Sequence, residues 1–389
     1  MTTPPTAEAL TAALQPYITA GDAPGLVALA SCGDDTQVAA LGATALDGAQ
    51  PMARDTIFRI ASMTKPVTAV AALMLVEDGV LALDAPIERW LPELADRRVL
   101  TRPDAPLSDT TPANRAITVE DLLTFRCGLG LIFGSPEQFP ILRAVAERKL
   151  MGFGPPDPTV DYGPDEYLRR LGELPLMAQP GEAWLYTAGS NILGVLIARA
   201  AGQPLGEVFR SRIFAPLGMK DTGFFTRNPE RLATAYASLD GRKVWDDPAA
   251  SAYAQPPPFP AGDAGLVSTV DDFLAFSRFL LHGGLAGERR LLSTASVAAM
   301  RRDHLTAAQR AGGRPVLTAD QGWGYGVAVT TARTAEGVPA GAFGWNGGLG
   351  TSWLADPATQ TTALLMTQVA FTSPDPPPVH KALWRAAFG

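Results

Sequence analysis

The sequence predicts two lobes, an α/β lobe and an all-α one, with the helical part inserted into the chain of the other. Three observations carry this expectation. Strand-like runs sit at both ends of the 389-residue chain, and short helical runs fill the middle. Strands at the two ends find partners by sharing one sheet, which makes the segment between them an insertion. Hydrophobic residues make up 47% of the chain and charged ones 18%, enough apolar material for a large core and too little charge for disorder. The expected division puts residues 1–60 and 315–389 in the sheet lobe and 61–314 in the helical lobe, with a site between them.

Each element follows from its pattern. Residues 6–20 carry Leu10, Leu14 and Ile18 on one helical stripe and stop at Gly21. GLVALAS (25–31) and TQVAALGATAL (36–46) read as strands joined by the turn-rich CGDD. TIFRIA (56–61) reads as a third strand or extended segment. Thr64–Asp78 reads as a helix ending at Gly79, with Pro66 tolerable in its first turn. The helical middle includes 118–125, 165–174 and 190–202, separated by Pro/Gly-rich loops at 152–167 and 254–265. Such loops are either plain surface connections or the walls of a site. Residues 268–284 read as a helix capped by Ser268. Strand patterns return at 322–332, 341–348, 351–357 and 361–370, and the C-terminal KALWRAAFG reads as a helix.

Composition narrows the function classes. The net charge is −7, and no basic run is interleaved with aromatics, so no nucleic-acid partner is expected. The longest apolar stretch, Ala69–Val76, is too short to span a bilayer, so no membrane association is expected. The N-terminal MTTPPTAEALTAALQPY lacks the basic and apolar regions of a secretory signal. Two cysteines, Cys32 and Cys127, fit a reduced cytoplasmic protein without structural disulfides. With only three scattered histidines (His282, His304, His380), no zinc site is expected, and no nucleotide loop implies a cofactor.

The chemistry is expected at RIASMTKPVTA (59–69). Ser62 and Lys65 form the only S-x-x-K in the chain. On a helix, positions i and i+3 share a face, with Cβ atoms about 5–6 Å apart. Ser62 also falls at a helix start, where unpaired N–H groups and the dipole favour developing negative charge. A serine hydroxyl needs a base to become a nucleophile, and a desolvated lysine among Ile60, Ala61, Met63, Pro66 and Val67 is a candidate. A structural N-cap serine followed by a solvated lysine fits the same four residues.

The longer segment TIFRIASMTKPVTAVAALMLVEDGVLALDAPIERWLPE resembles the first motif region of the serine β-lactamase and penicillin-binding-protein superfamily, in its class C-like branch. The resemblance implies a β-lactamase-like fold with an antiparallel sheet flanked by helices. PGEAWLYTAGSNILG (180–194) is similar to the region of the second element and places Tyr186 at the position of its tyrosine. A phenol beside an ammonium can be held partly as phenolate and can carry the serine proton. Relatives usually carry Tyr-x-Asn there, whereas this chain has Tyr186-Thr187-Ala188. FGWNGGLGTSWLADP (343–357) is similar to the third element, with Trp345-Asn346-Gly347 where relatives carry Lys-Thr-Gly or His-Thr-Gly. Asn346-Gly347 also fits a hairpin turn.

This W-x-G variant resembles the family VIII carboxylesterases. It implies Ser62, Lys65 and Tyr186 as catalytic residues, and the backbone N–H groups of Ser62 and Gly348 as an oxyanion hole. Trp345 and Gly347 would line the substrate, with Trp345 as an apolar stacking surface. The implied activity is hydrolysis of small or medium neutral esters through an acyl-enzyme. Acyl transfer on the same intermediate, amidase action, weak β-lactam hydrolysis and a non-catalytic binding role are the alternatives. The segments 118–130 and 261–276 also resemble stretches of the family, and Cys127 reads as a buried small apolar residue.

Overall fold

The computed structural model describes residues 3–48, 50–152 and 156–389. A seven-stranded sheet organises it. Its strands are β1 (Gly25–Cys32), β2 (Asp35–Gly42), β3 (Gln321–Trp323), β4 (Ala328–Thr330), β5 (Phe343–Gly347), β6 (Thr351–Asp356) and β7 (Thr361–Thr367), in the order β3-β4-β5-β6-β7-β1-β2. Every pairing is antiparallel. The two ends of the chain therefore meet where β1 pairs with β7, Leu29 opposite Leu364. This is the antiparallel sheet that the resemblance implied.

Helices α1 (Ala7–Thr19), α4 (Val270–Leu281) and α5 (Pro378–Phe388) pack on it, while α2 (Thr64–Glu77) and α3 (Ala188–Ala201) pack on each other. Side chains alternate across a strand, so β1 feeds two cores. Leu26, Ala28 and Ala30 pack with Leu10 and Leu14 of α1 and with Val379 and Leu383 of α5. Val27 and Leu29 face the larger core with α2, α3 and α4. A strand covered on both faces has no polar face to show, which is why GLVALAS is an apolar run.

Local sequence fixes the element ends. Thr118 and Asp121 form a reciprocal capping box at the start of helix Val119–Leu123. The cap of α4 is Thr269, whose side chain accepts from the Asp272 N–H, and not Ser268. Ser268 instead pairs with Phe58 in a two-stranded ribbon, Phe58–Arg59 with Val267–Ser268. The TIFRIA segment thus stays outside the main sheet. Of the loop 152–167, residues 153–155 lie outside the described residues. Its flank packs on the second proline-rich loop, with Tyr167 stacked on Phe259 at 4.7 Å. Among the described residues, no single helix is long and apolar enough to cross a membrane.

Candidate active site

Arg59 ends the short ribbon, and the chain turns into a 3-10 turn, Ala61–Met63, that runs directly into α2. Ala61 makes the turn in the left-handed region, at φ 43°. Such backbone costs about 1–2 kcal/mol for a residue with a Cβ and persists where the surroundings enforce it. Just before it, the buried Arg59 guanidinium bonds the Asp246 carboxylate and the Ala233 carbonyl. The outcome places Ser62 at the mouth of the helix, partly exposed, with Lys65 one turn on and 1% exposed.

Lys65 Nζ donates to Ser62 Oγ at 2.9 Å and to the Asp263 carbonyl at 2.8 Å. Tyr186 Oη lies 2.8 Å from the same Ser62 Oγ. Lys65 Nζ also sits 4.5 Å from the centre of the Tyr186 ring, within reach of its negative face. Ser62, Lys65 and Tyr186, separated by 124 residues of chain, therefore converge on one oxygen.

The third element is a strand and not a turn. Asn346 and Gly347 belong to β5 and pair with Ser352 and Thr351. The chain reverses after Gly347, and Gly348 stands exposed at that point. The Phe371 N–H donates to the Gly348 carbonyl at 2.8 Å, which fixes the peptide from behind. A Cβ on Gly348 would meet nothing within 4 Å, so this backbone faces open space. A Cβ on Gly347 would collide with the Ile60 carbonyl and Thr351 Oγ1. Gly347 lets β5 approach the serine turn closely, rather than offering surface to a substrate.

Trp345 differs from the expected pocket wall. It is 7% exposed, and its indole N–H donates to Tyr186 Oη at 2.7 Å. Its ring stands edge-on to Trp323 at 4.8 Å, in a cluster with Phe125 and Trp184 that also carries Tyr186. An indole N–H can only donate, so Tyr186 Oη is the acceptor of this bond.

Sequence reasoning named no residue in the loop 254–265, yet the loop supplies the Asp263 carbonyl to Lys65. Asp263 is held in turn: its carboxylate accepts from Thr187 Oγ1 at 2.9 Å and its N–H donates to Asn191 Oδ1 at 3.1 Å. The signal available was AGDAG, a polar residue among small ones in a loop read as either a surface connection or the wall of a site. The histidines stand elsewhere. His304 stacks on Tyr325 at 4.2 Å, and His380 is buried edge-on to Phe371. Cys127 is fully buried, which pushes its thiol up to about 12. Among the described residues, no group of three or more His, Cys, Asp or Glu side chains could hold a metal ion.

A serine at a helix mouth, touched by a lysine and a tyrosine beside an antiparallel sheet, defines a serine hydrolase of the β-lactamase fold. Residues 10–388 match the family model described as Beta-lactamase, and the chain belongs to that family. It is 40% identical over 342 residues to protein Rv1367c of Mycobacterium tuberculosis, covering 85% of this chain and 82% of the relative. It is 35% identical over 347 residues to the esterase EstB of Burkholderia gladioli, covering 84% and 80%. Among solved structures, EstCE1, described as a hydrolase with promiscuous acyltransferase activity, superposes with a TM-score of 0.80. That match has 25% identity and covers 98% of this chain and 97% of EstCE1.

Proposed function

We propose that this protein is a serine carboxylesterase acting on small or medium neutral esters, with Ser62 as nucleophile. The convergence of Lys65 Nζ and Tyr186 Oη on Ser62 Oγ, at 2.9 and 2.8 Å, carries the reading. Similarity to EstB supports the ester as substrate.

Tyr186, as phenolate, accepts the Ser62 proton while Oγ bonds to the ester carbonyl carbon. Lys65 donates to Ser62 Oγ and holds that oxygen in place. The carbonyl oxygen becomes an oxyanion between the N–H groups of Ser62 and Gly348, where one donor is worth about 3–4 kcal/mol in the transition state. The C–O bond to the alcohol then breaks, and Tyr186 returns the proton to the leaving oxygen. Water attacks the acyl-enzyme by the same route in reverse and leaves Ser62 protonated again. An alcohol in place of water gives acyl transfer, the second reading, which the description of EstCE1 favours.

Initial rates of p-nitrophenyl acetate and butyrate hydrolysis by wild type and Ser62→Ala test the proposal. Loss of turnover in a folded Ser62→Ala variant is expected; equal rates would remove Ser62 from the chemistry. With an indole where a cation would meet a substrate carboxylate, nitrocefin turnover is expected to be far slower than ester turnover. Products formed with added alcohol separate hydrolysis from transfer.

A further inference from the structure

One aromatic side chain packs against residues that flank the site, in clusters separate from that of Tyr186, and has no part in the mechanism above. Trp245 lies on a hairpin formed by Ala235–Ser238 and Lys243–Asp246. The pairing runs Ala235 with Asp246 and then Tyr236 with Val244, so Trp245 is the extra residue of a β-bulge. Bulges re-aim a side chain and recur beside active sites. Here the half-buried indole packs against Ala61, Leu349 and Ala370 on one side and the Ile57–Tyr253 cluster on the other. Ala61 directly precedes Ser62, and Leu349 directly follows Gly348. The indole therefore lies beside both halves of the oxyanion site.

Its backbone is fixed at both ends. Asp246 is locked into the ion pair with Arg59. Tyr236 bonds the chain after β7, donating to the Gln368 carbonyl at 2.8 Å and accepting from Ala370 N–H at 2.9 Å. The leaving alcohol takes its proton from Tyr186 and so departs on the side of that residue. The acyl chain is left the other wall.

We propose that Trp245 is the specificity-determining residue of the acyl subsite and limits this enzyme to short acyl chains. The inference rests on the esterase reading. The residues under the indole include Ala61 and Ala370, so its removal uncovers a floor of small side chains.

The test is kcat/KM for p-nitrophenyl acetate, butyrate, hexanoate and octanoate with wild type, Trp245→Ala and Trp245→Phe. In wild type the values fall beyond butyrate. In Trp245→Ala the octanoate-to-acetate ratio rises, by up to about fourfold per methylene, the fold-change equal to about 0.8 kcal/mol. Trp245→Phe lies between. The ratio within one preparation is independent of the fraction folded, and the Phe variant keeps a ring in place if the Ala variant does not fold. An unchanged ratio in a folded variant overturns the proposal. So does a shift seen with longer alcohols, in alkyl butyrates, instead of longer acyl chains. Wild type that hydrolyses no ester refutes the esterase reading itself, whereas wild type and variants with identical profiles refute only the role of Trp245.

Discussion

Replacing Trp345 with phenylalanine removes one hydrogen bond from the site and leaves an aromatic ring in its place. The bond, from the indole N–H to Tyr186 Oη, is 2.7 Å long, and the residue is only 7% exposed, so water does not readily replace the donor. A hydrogen bond to a charged group contributes about 1.5–3 kcal/mol. In the proposed mechanism the acceptor is the charged oxygen that takes the Ser62 proton, and the expected loss is about 10- to 150-fold in kcat/KM. The loss is expected to be alike for acetate and butyrate esters, because it acts through Tyr186 and not through substrate contact. The assay is initial rates on both esters for wild type, Trp345→Phe, Tyr186→Phe and the double variant. In the Tyr186→Phe background the acceptor is gone, and Trp345→Phe is expected to cost little more. A Trp345→Phe enzyme within twofold of wild type, or the same loss in both backgrounds, refutes the reasoning.

Gly347→Ala should remove activity, because the new Cβ drives β5 away from the Ile60 carbonyl; Gly348→Ala faces open space and should leave thermal stability unchanged. Melting temperatures and ester rates of both variants check this. Lys65→Met removes the contact to Ser62 Oγ and should lower kcat by about 10²- to 10⁴-fold. Lys65→Arg should not restore it, since the larger planar guanidinium does not fit a site where the side chain is 1% exposed, which rate measurements on the two variants decide. Burial holds the His380 imidazole down to about 3 from its ordinary 6.5. Between those values the unfolded chain binds a proton that the folded one does not, so stability falls as pH drops below 6.5, by about 1.4 kcal/mol per pH unit. Urea unfolding from pH 7 to 4 should show a shallower slope in His380→Phe than in wild type.

The parts of the site legible in the sequence were those whose chemistry sits in side chains at short spacing. Ser62 and Lys65 are one helical turn apart, so pattern alone put them together. The sheet was legible for a similar reason: β1 and β5 to β7 are apolar runs bounded by turn residues. What escaped was direction and backbone. The indole of Trp345 was read as an apolar surface, but its N–H reaches Tyr186, a contact set by how closely β5 passes Ser62. The group that holds Lys65 on its far side is the carbonyl of Asp263, and a carbonyl leaves no mark in a sequence. Trp245 sits in a bulge, where the alternation that would place a side chain is broken.

The exchange at position 345 shows what this site keeps and what it gives up. A lysine or imidazolium on that strand, as the resemblance implies for lactamases and peptidases, carries a donor and a positive charge in one group. The indole carries the donor alone. Its N–H still meets the phenolic oxygen at 2.7 Å, so Tyr186 keeps a donor. The charge that would draw a substrate carboxylate is absent from the strand. The Asp263 carboxylate, on the same residue whose carbonyl meets Lys65, accepts from Thr187 Oγ1. The missing charge leaves an anionic substrate without a partner on this strand and a neutral one unaffected, which is the physical ground for expecting neutral esters rather than carboxylate-bearing amides.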